Sequence, residues 1–436
     1  MLSRKYLITA ACIYLAYFTH GIQGIIISQL RDQFMVQWTT DLAGIWQVIA
    51  WTGLGKFLTV WLCGEISDKI GRRLMMLIGA VGYVVFFTAL LLTGSYSVAC
   101  VAAFLGGAST SCFDGGGYPA LQESFPKAPA SALMILKAFI SLSGIFYPLA
   151  IVALSGTAMF TSVIWVPLAL SVIVLGLAFL APFSYDDALK DKKATASGTD
   201  NAIVEDPVIK AAMARFVKKP SFAIEGVCCL AYGFICMFTF YIVQQSITIY
   251  GKDIIGMSDL ASRALLSYYT VGAFVGVIMG AIATAKGLRV LTMLLIYTFF
   301  SFISLLVMCM IQTPLVTSIT AFTVGTFAAG GALQAGVALM SEYFPGKKGR
   351  NLGMYYTFMG LASYVGPMIA GKFISMATNG LTQGTAEYIA AEATGKVNLL
   401  YFDMAVAAAG FLVMLLLISR YKSIFGESPF SREIKK

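Results

Sequence analysis

Four ionisable side chains interrupt otherwise apolar stretches of the chain: His20, Lys56, Asp114 and Lys137. An ionisable group in a membrane-spanning segment costs at least a few kcal/mol, so each is a functional candidate by default. At about 1.5 Å per helical residue, Lys56, Asp114 and Lys137 each lie roughly 10 to 12 Å from the same-side ends of their segments, so the three can meet at one depth. Two lysines and one aspartate carry a surplus positive charge, which in a low dielectric favours a substrate carboxylate. The same residues also fit two arrangements that need no substrate. Asp114 and Lys137 can form a permanent ion pair between consecutive segments, and Lys56 can snorkel to the cytoplasmic interface.

His20 is the sole histidine and can change charge near neutral pH, which makes it, with Asp114, the proton-coupling candidate; a neutral hydrogen-bonding role is the other reading. Asp114 is followed by Gly115, Gly116 and Gly117. Glycines in mid-helix are costly unless they permit close approach or bending, so they mark either a site built at that point or packing through small residues. Downstream, Gln244 and Gln245, Tyr268 and Tyr269, Gln334, and Tyr355 and Tyr356 offer hydrogen-bonding groups and ring faces without charge. Adjacent helical residues point in different directions, and Gln245, Tyr269 and Tyr356 are the members assigned to the cavity. The substrate-binding set is therefore Lys56, Asp114, Lys137, Gln245, Tyr269, Gln334 and Tyr356, a mixture suited to a hydroxylated ring bearing a carboxylate. Glu225 lies near an inner helix end and reads as a gate residue at most.

The chain lacks what most enzymes need. One histidine, no HExxH pattern and no acidic clusters in the apolar runs argue against a metal or nucleophile centre, and no metal or cofactor is expected. Without a G-x-x-x-x-G-K-[ST] loop, ATP is not the energy source, and gradients must be. The eight cysteines, at 12, 63, 100, 112, 228, 229, 236 and 309, fall in apolar segments with no CxxC spacing, so neither disulfides nor zinc are expected.

The elements that position these residues follow from composition. Of the 436 residues, 58% are hydrophobic and 12% charged, against about 25% charged in soluble domains. Runs of about 20 apolar residues, the length that crosses a bilayer core, recur along the whole chain. They predict helices near 6–28, 42–65, 74–93, 97–122, 130–155 and 160–182, then 221–249, 261–283, 288–311, 314–341, 351–376 and 397–420. The first is read as helix one rather than a signal peptide, because no small-residue cleavage pattern follows it. The net charge of +9 has no aromatic-interleaved basic domain that would bind nucleic acid. Its lysines and arginines concentrate on the side of the amino terminus, which the positive-inside bias places in the cytoplasm with the carboxy terminus. Residues 1–183 and 221–421 are thus expected as two six-helix bundles, 184–220 as a cytoplasmic linker and 422–436 as a cytoplasmic tail. Within the linker, 206–219 reads either as an amphipathic helix lying on the membrane or as a solvated loop.

The two sixes are duplicates. Pro126 and Pro345, and Pro148 and Pro367, share an offset of 219 (345 − 126; 367 − 148), within matching Glu-Ser-Phe-Pro and Glu-Tyr-Phe-Pro surroundings. Gly64, Gly71 and Arg73 recur at an offset of 216 as Gly280, Gly287 and Arg289. By the first offset Gln334 mirrors Gly115 and Tyr356 mirrors Lys137. Duplicated halves are how many secondary transporters form a midplane site.

Gly64-Glu65-Ile66-Ser67-Asp68-Lys69-Ile70-Gly71-Arg72-Arg73 resembles the G-x-L-A-D-R-x-G-R-R signature of the major facilitator superfamily. The resemblance implies an all-α membrane protein of twelve transmembrane helices in two pseudo-symmetric bundles, working by alternating access. It also implies that Asp68, Arg72 and Arg73 form a cytoplasmic gate; the second copy has Thr284 in place of Asp68. Thr19-His20-Gly21, Phe113 to Pro119, Ile135 to Phe139 and Tyr401-Phe402-Asp403 look like the YdiM/YdiN branch of that family. That branch is associated with quinate and shikimate metabolism, which implies a hydroxylated cyclic carboxylate. The G-x-x-x-G-P-x-x-G-G pattern of drug/proton antiporters is missing from helix five, where Ser143 to Pro148 stand.

The reading is therefore a monomeric transporter in a bacterial cytoplasmic membrane, surrounded by lipid, taking up a small organic anion with protons. Anion exchange, a neutral sugar or polyol, drug efflux, and a sensor without flux are its rivals.

Overall fold

The computed structural model describes residues 4–125, 129–154, 162–187, 213–345 and 348–432. Most of the expected linker, with the first half of its amphipathic stretch, and the end of the tail lie outside the described residues.

The described chain is helical throughout. The helices are α1 (Leu7–Gln23), α2 (Ile26–Gln29), α3 (Arg31–Gln37), α4 (Leu42–Ile70), α5 (Arg72–Leu92), α6 (Tyr96–Ser124), α7 (Pro129–Leu154), α8 (Ser162–Leu180), α9 (Val227–Asp253), α10 (Asp259–Ala285), α11 (Val290–Met310), α12 (Pro314–Val324), α13 (Ala332–Tyr343), α14 (Lys348–Ala377) and α15 (Ala386–Phe425). Their ends follow local rules. Asp41 caps α4 by accepting the Gly44 N–H at 2.8 Å, and Thr313 caps α12 ahead of a proline at its first position, where the missing N–H costs nothing. Gly71 ends α4 with φ at 105°, a conformation open to glycine alone at little cost.

Nine apolar stretches among the described residues are long enough to cross a membrane. Leu7–Gln23 is apolar but shorter, and α4 and α14 are long but more polar, with mid-span residues such as Lys56 in α4. With these three the described helices account for the twelve expected spans. The site-bearing helices are divided: α6 and α7 are apolar enough to be among the nine, α1 is too short, and α4 is too polar.

Two expected spans differ in form. The span expected at 314–341 is broken into α12, a π-helical turn at Gly325–Ala329 and α13. Gly331 stands at the break with φ 81°, and the backbone of Gly276 and Thr326 fills the place of a side chain at Gly330. The last span is longer than its apolar run. At about 1.5 Å per residue, the 40 residues of α15 reach about 60 Å, twice the hydrocarbon thickness.

The chain divides into two compact units. Unit 1 holds α1 to α8 together with Asp259–Ser267 and Ser363–Met376, and unit 2 holds the rest. Within unit 1, α4 packs most extensively on α6. Backbone atoms of Phe104 and Thr52 occupy the positions a Cβ would take at Gly55 and Gly107, so the two helices meet backbone to backbone. Within unit 2, Phe322 and Tyr269 backbone oxygens do the same at Gly272 and Gly325. The repeat seen in the sequence is thus also a repeat of small-residue contacts. In unit 2, α15 lies against α9 and α11, and the Val217 and Lys218 N–H groups donate to the Ile424 carbonyl at 2.8 and 3.2 Å, holding this part of the expected amphipathic stretch to the end of α15.

Candidate functional site

Close approach of α4 and α6 sets the geometry of the charged cluster. Gly107 lies against the backbone at Thr52 and Lys56, and the Ser111 hydroxyl donates to the Lys56 carbonyl at 3.2 Å. One turn further along α6, Asp114 accepts from the Lys56 ammonium at 3.1 Å. Its other oxygen accepts from the Tyr17 hydroxyl of α1 at 3.0 Å. The Lys56 and Asp114 side chains are 31% and 20% exposed, so the pair is sheltered yet open to solvent on one side.

Lys137 of α7 is half-buried and stands within electrostatic reach of both Asp114 and Lys56. It has no ion-pair partner among the described residues. Of the two lysines that can neutralise Asp114, the structure pairs Lys56, and the alternative permanent pair of Asp114 with Lys137 is not formed. The cluster therefore holds two lysines against one carboxylate.

His20 lies on the same face of α1 as Tyr17, the two rings meeting edge to face at 5.9 Å. Its Nδ1 is 3.0 Å from the Tyr83 hydroxyl, which in turn is 2.9 Å from the Thr110 hydroxyl. Sequence reasoning alone does not single out Tyr17, Tyr83 or Thr110. Tyr17 is within its reach, because it lies three residues before His20 and so on the same helical face; Tyr83 offers no comparable signal, as one tyrosine in an apolar run.

The three glycines after Asp114 serve packing. A Cβ at Gly115 would meet the Cys63 backbone of α4 at 2.8 Å, at Gly116 the Arg72 carbonyl at 3.1 Å, and at Gly117 the Tyr17 ring at 3.2 Å. They let α4, α5 and α1 close around Asp114. Beside them the Cys63 and Cys112 sulfurs lie 3.5 Å apart, a contact and not a bond.

In unit 2, Gln245 and Tyr269 are buried, each 1% exposed, and the Tyr269 hydroxyl donates to the Phe240 carbonyl at 3.0 Å. Tyr356 and Gln334 are exposed, as is Tyr268, while Tyr355 is buried. Glu225 is buried and paired with Arg420, tying α15 to the start of α9.

The Gly-Arg-Arg motif finds its partners inside unit 1. Arg72 donates to Asp68 at 2.6 Å, Ser67 at 2.9 Å and Glu123 at 3.0 Å and lies 4.2 Å above the Tyr185 ring. Asp186, just past α8 in the chain, accepts the backbone N–H of Arg72 at 2.7 Å and of Arg73 at 2.9 Å, capping α5. In unit 2, Arg289 donates to the Tyr421 hydroxyl at 2.8 Å and that hydroxyl donates to Glu342 at 3.0 Å, while Thr284 bonds only its own helix. Replacing Asp186 by Ala should therefore lower stability by about 1 to 2 kcal/mol, the usual value of a lost helix cap. Thermal melting of the purified protein in detergent measures it, and an unchanged melting temperature would show that Asp186 is not the cap.

Comparison with known proteins agrees with this architecture. Residues 8–367 match the model of the Major Facilitator Superfamily. The inner membrane transport protein YdiM of Escherichia coli (strain K12) is 33% identical over 418 residues, 95% of this chain and 94% of that one. The MFS-type transporter YfkL of Bacillus subtilis (strain 168) is 33% identical over 419 residues, 96% and 98% of the two chains. Among solved structures, the nucleoside transporter NupG superposes with a TM-score of 0.66 at 14% identity, covering 95% of this chain and 99% of its own, a likeness of fold alone. Motif, duplicated helical units and full-length relatives lead to one conclusion: this chain is a multi-pass membrane transporter, not an enzyme, and belongs to the Major Facilitator Superfamily.

Proposed function

We propose that the protein is a proton-coupled transporter that takes up a small organic anion, of the hydroxylated cyclic carboxylate type, by alternating access in a bacterial inner membrane. The observation that carries this reading is Lys137. With Asp114 already neutralised by Lys56 at 3.1 Å, its ammonium stands without a counter-ion in a sheltered cluster, and such a charge is stabilised most by an arriving carboxylate. The buried hydroxyls of Tyr17 and Tyr83 support the cluster from behind, bonding the Asp114 carboxylate and the His20 imidazole. Gln334 and Tyr356 are the exposed polar candidates of unit 2; Gln245 and Tyr269 serve there as buried support. Asp68, Arg72 and Arg73 belong to the cytoplasmic gate in this reading, both termini face the cytoplasm, and a monomer suffices.

The test is uptake into proteoliposomes of labelled quinate, shikimate, a simple monocarboxylate and a neutral hexose, with and without an inward proton gradient. Gradient-stimulated uptake of one or more carboxylates is expected. Hexose uptake with no carboxylate transported would remove the anion reading, and carboxylate uptake indifferent to the gradient would remove proton coupling.

A further inference from the structure

The charged cluster leaves one carboxylate in the transmembrane helices unused. Asp403 of α15 is fully buried, 0% exposed, and neither of its carboxylate oxygens has a hydrogen-bond partner. The Thr239 hydroxyl of α9 lies near the carboxyl and is itself without a hydrogen-bond partner. Tyr269 of α10 is near, but its hydroxyl is engaged by the Phe240 carbonyl at 3.0 Å. The Cys309 thiol of α11 is near as well. No cation faces Asp403 among the described residues. The preceding basic residue on α15, Lys396, is held by Asp253 at 2.6 Å and Glu392 at 2.5 Å. Beside Thr239 lies a mostly apolar cavity of about 20 Å³, lined by Ile235, Phe327 and Ala328 along with Thr298 and Ser301 and, one to two turns along α15 from Asp403, by Ala407 and Gly410. That volume accommodates a single water.

An ionised carboxylate with no cation and no donor beyond one hydroxyl is strongly unfavourable in such surroundings, whereas a carboxylic acid needs only one donor and one acceptor. We propose that Asp403 is a reversible proton-binding site, carrying its proton as the neutral acid at neutral pH and exchanging it by way of Thr239 and the adjoining cavity. The inference rests on the proton-coupled reading for its place in the cycle and assigns the proton to unit 2, apart from the Lys56–Asp114 pair. It differs from the sequence expectation, which placed the coupling proton on His20 or Asp114; Asp114 is already engaged by an ammonium and a phenol.

The experiment is infrared difference spectroscopy of the purified, reconstituted protein in H2O and D2O, reading the carbonyl stretch of protonated carboxylic acids, with no substrate present. Wild type should show such a band at pH 7, absent from Asp403→Asn and displaced in Asp403→Glu, and the band should disappear reversibly as the pH is raised within the range where the protein stays folded. Asn is a neutral isostere of the acid, so the Asp403→Asn protein should melt at or above the wild-type temperature; should it fail to fold, the displaced band of Asp403→Glu makes the assignment. A wild-type spectrum without the band at pH 7, or a band unmoved by both substitutions, overturns the site. A band that persists unchanged up to the pH at which the protein unfolds overturns reversible loading. Each of these leaves the carboxylate reading standing, while loss of gradient stimulation in the uptake panel removes proton coupling and leaves the spectrum as it is.

Discussion

Replacing Lys137 by Met should reduce carboxylate binding and uptake by about 100-fold or more while leaving the protein folded. Truncating one partner of a desolvated charge pair costs about 2 to 5 kcal/mol of binding, and about 1.4 kcal/mol is a factor of ten. Folding is spared because Lys137 has no ion-pair partner among the described residues to be orphaned by its loss, and removing an unpaired charge from a sheltered position is neutral or stabilising. Lys56→Met should behave differently. It strands Asp114, whose ammonium partner lies at 3.1 Å, so stability falls along with transport. Melting curves and binding titrations on the two variants separate these roles. Equal loss of stability in both would mean that Lys137, too, is a structural partner.

The second large effect is expected at Gly107. A Leu there must displace the Thr52 carbonyl and the Lys56 backbone nitrogen, and backbone atoms of a packed helix cannot rotate aside as a side chain would. Overpacking of side-chain contacts costs about 1 to 3 kcal/mol; here the cost should exceed about 3 kcal/mol, enough to leave the protein unfolded or without a sharp melting transition. The same change would pull Lys56 out of register with Asp114. Gly64 and Gly176 supply the control, since a Cβ at either meets nothing within 4 Å. Gly64→Ala and Gly176→Ala should melt at or slightly above wild type, because alanine favours the helix by up to about 1 kcal/mol. Size-exclusion profiles and melting in detergent read all three, and a well-folded Gly107→Leu would contradict the backbone contact.

The depth of the charged cluster was legible because helical rise is constant, so counting residues along three separate spans places Lys56, Asp114 and Lys137 at one level. The choice of partner for Asp114 was not. It depends on how α4 and α6 are rotated against each other, which the mutual approach at Gly55 and Gly107 decides, and neither glycine stands out in a chain with 42 of them. Asp403 was hidden for a related reason. Counted from an apolar run beginning at 397 it lies about 9 Å from the helix end, where an aspartate is unremarkable, but α15 begins at Ala386, about 25 Å away. The break between α12 and α13 was equally hidden, because a Gly-Gly pair inside an apolar run also reads as close packing; the φ of 81° at Gly331 is a property of the folded backbone. Asp186 reads in the sequence only as part of a polar linker, yet it caps α5, a contact across more than a hundred residues that no local pattern announces.

In the proposed cycle the unpaired ammonium of Lys137 selects a negative charge. That selection is tested most directly by comparing a carboxylate with its own neutral counterpart: binding of quinate and of its carboxamide to purified wild-type protein and to Lys137→Met. The account predicts that wild type binds the carboxylate at least about tenfold more tightly than the amide, a difference of about 1.4 kcal/mol, and that the variant loses this preference. An amide that binds wild type as well as the acid does, or a preference that survives in Lys137→Met, would contradict it.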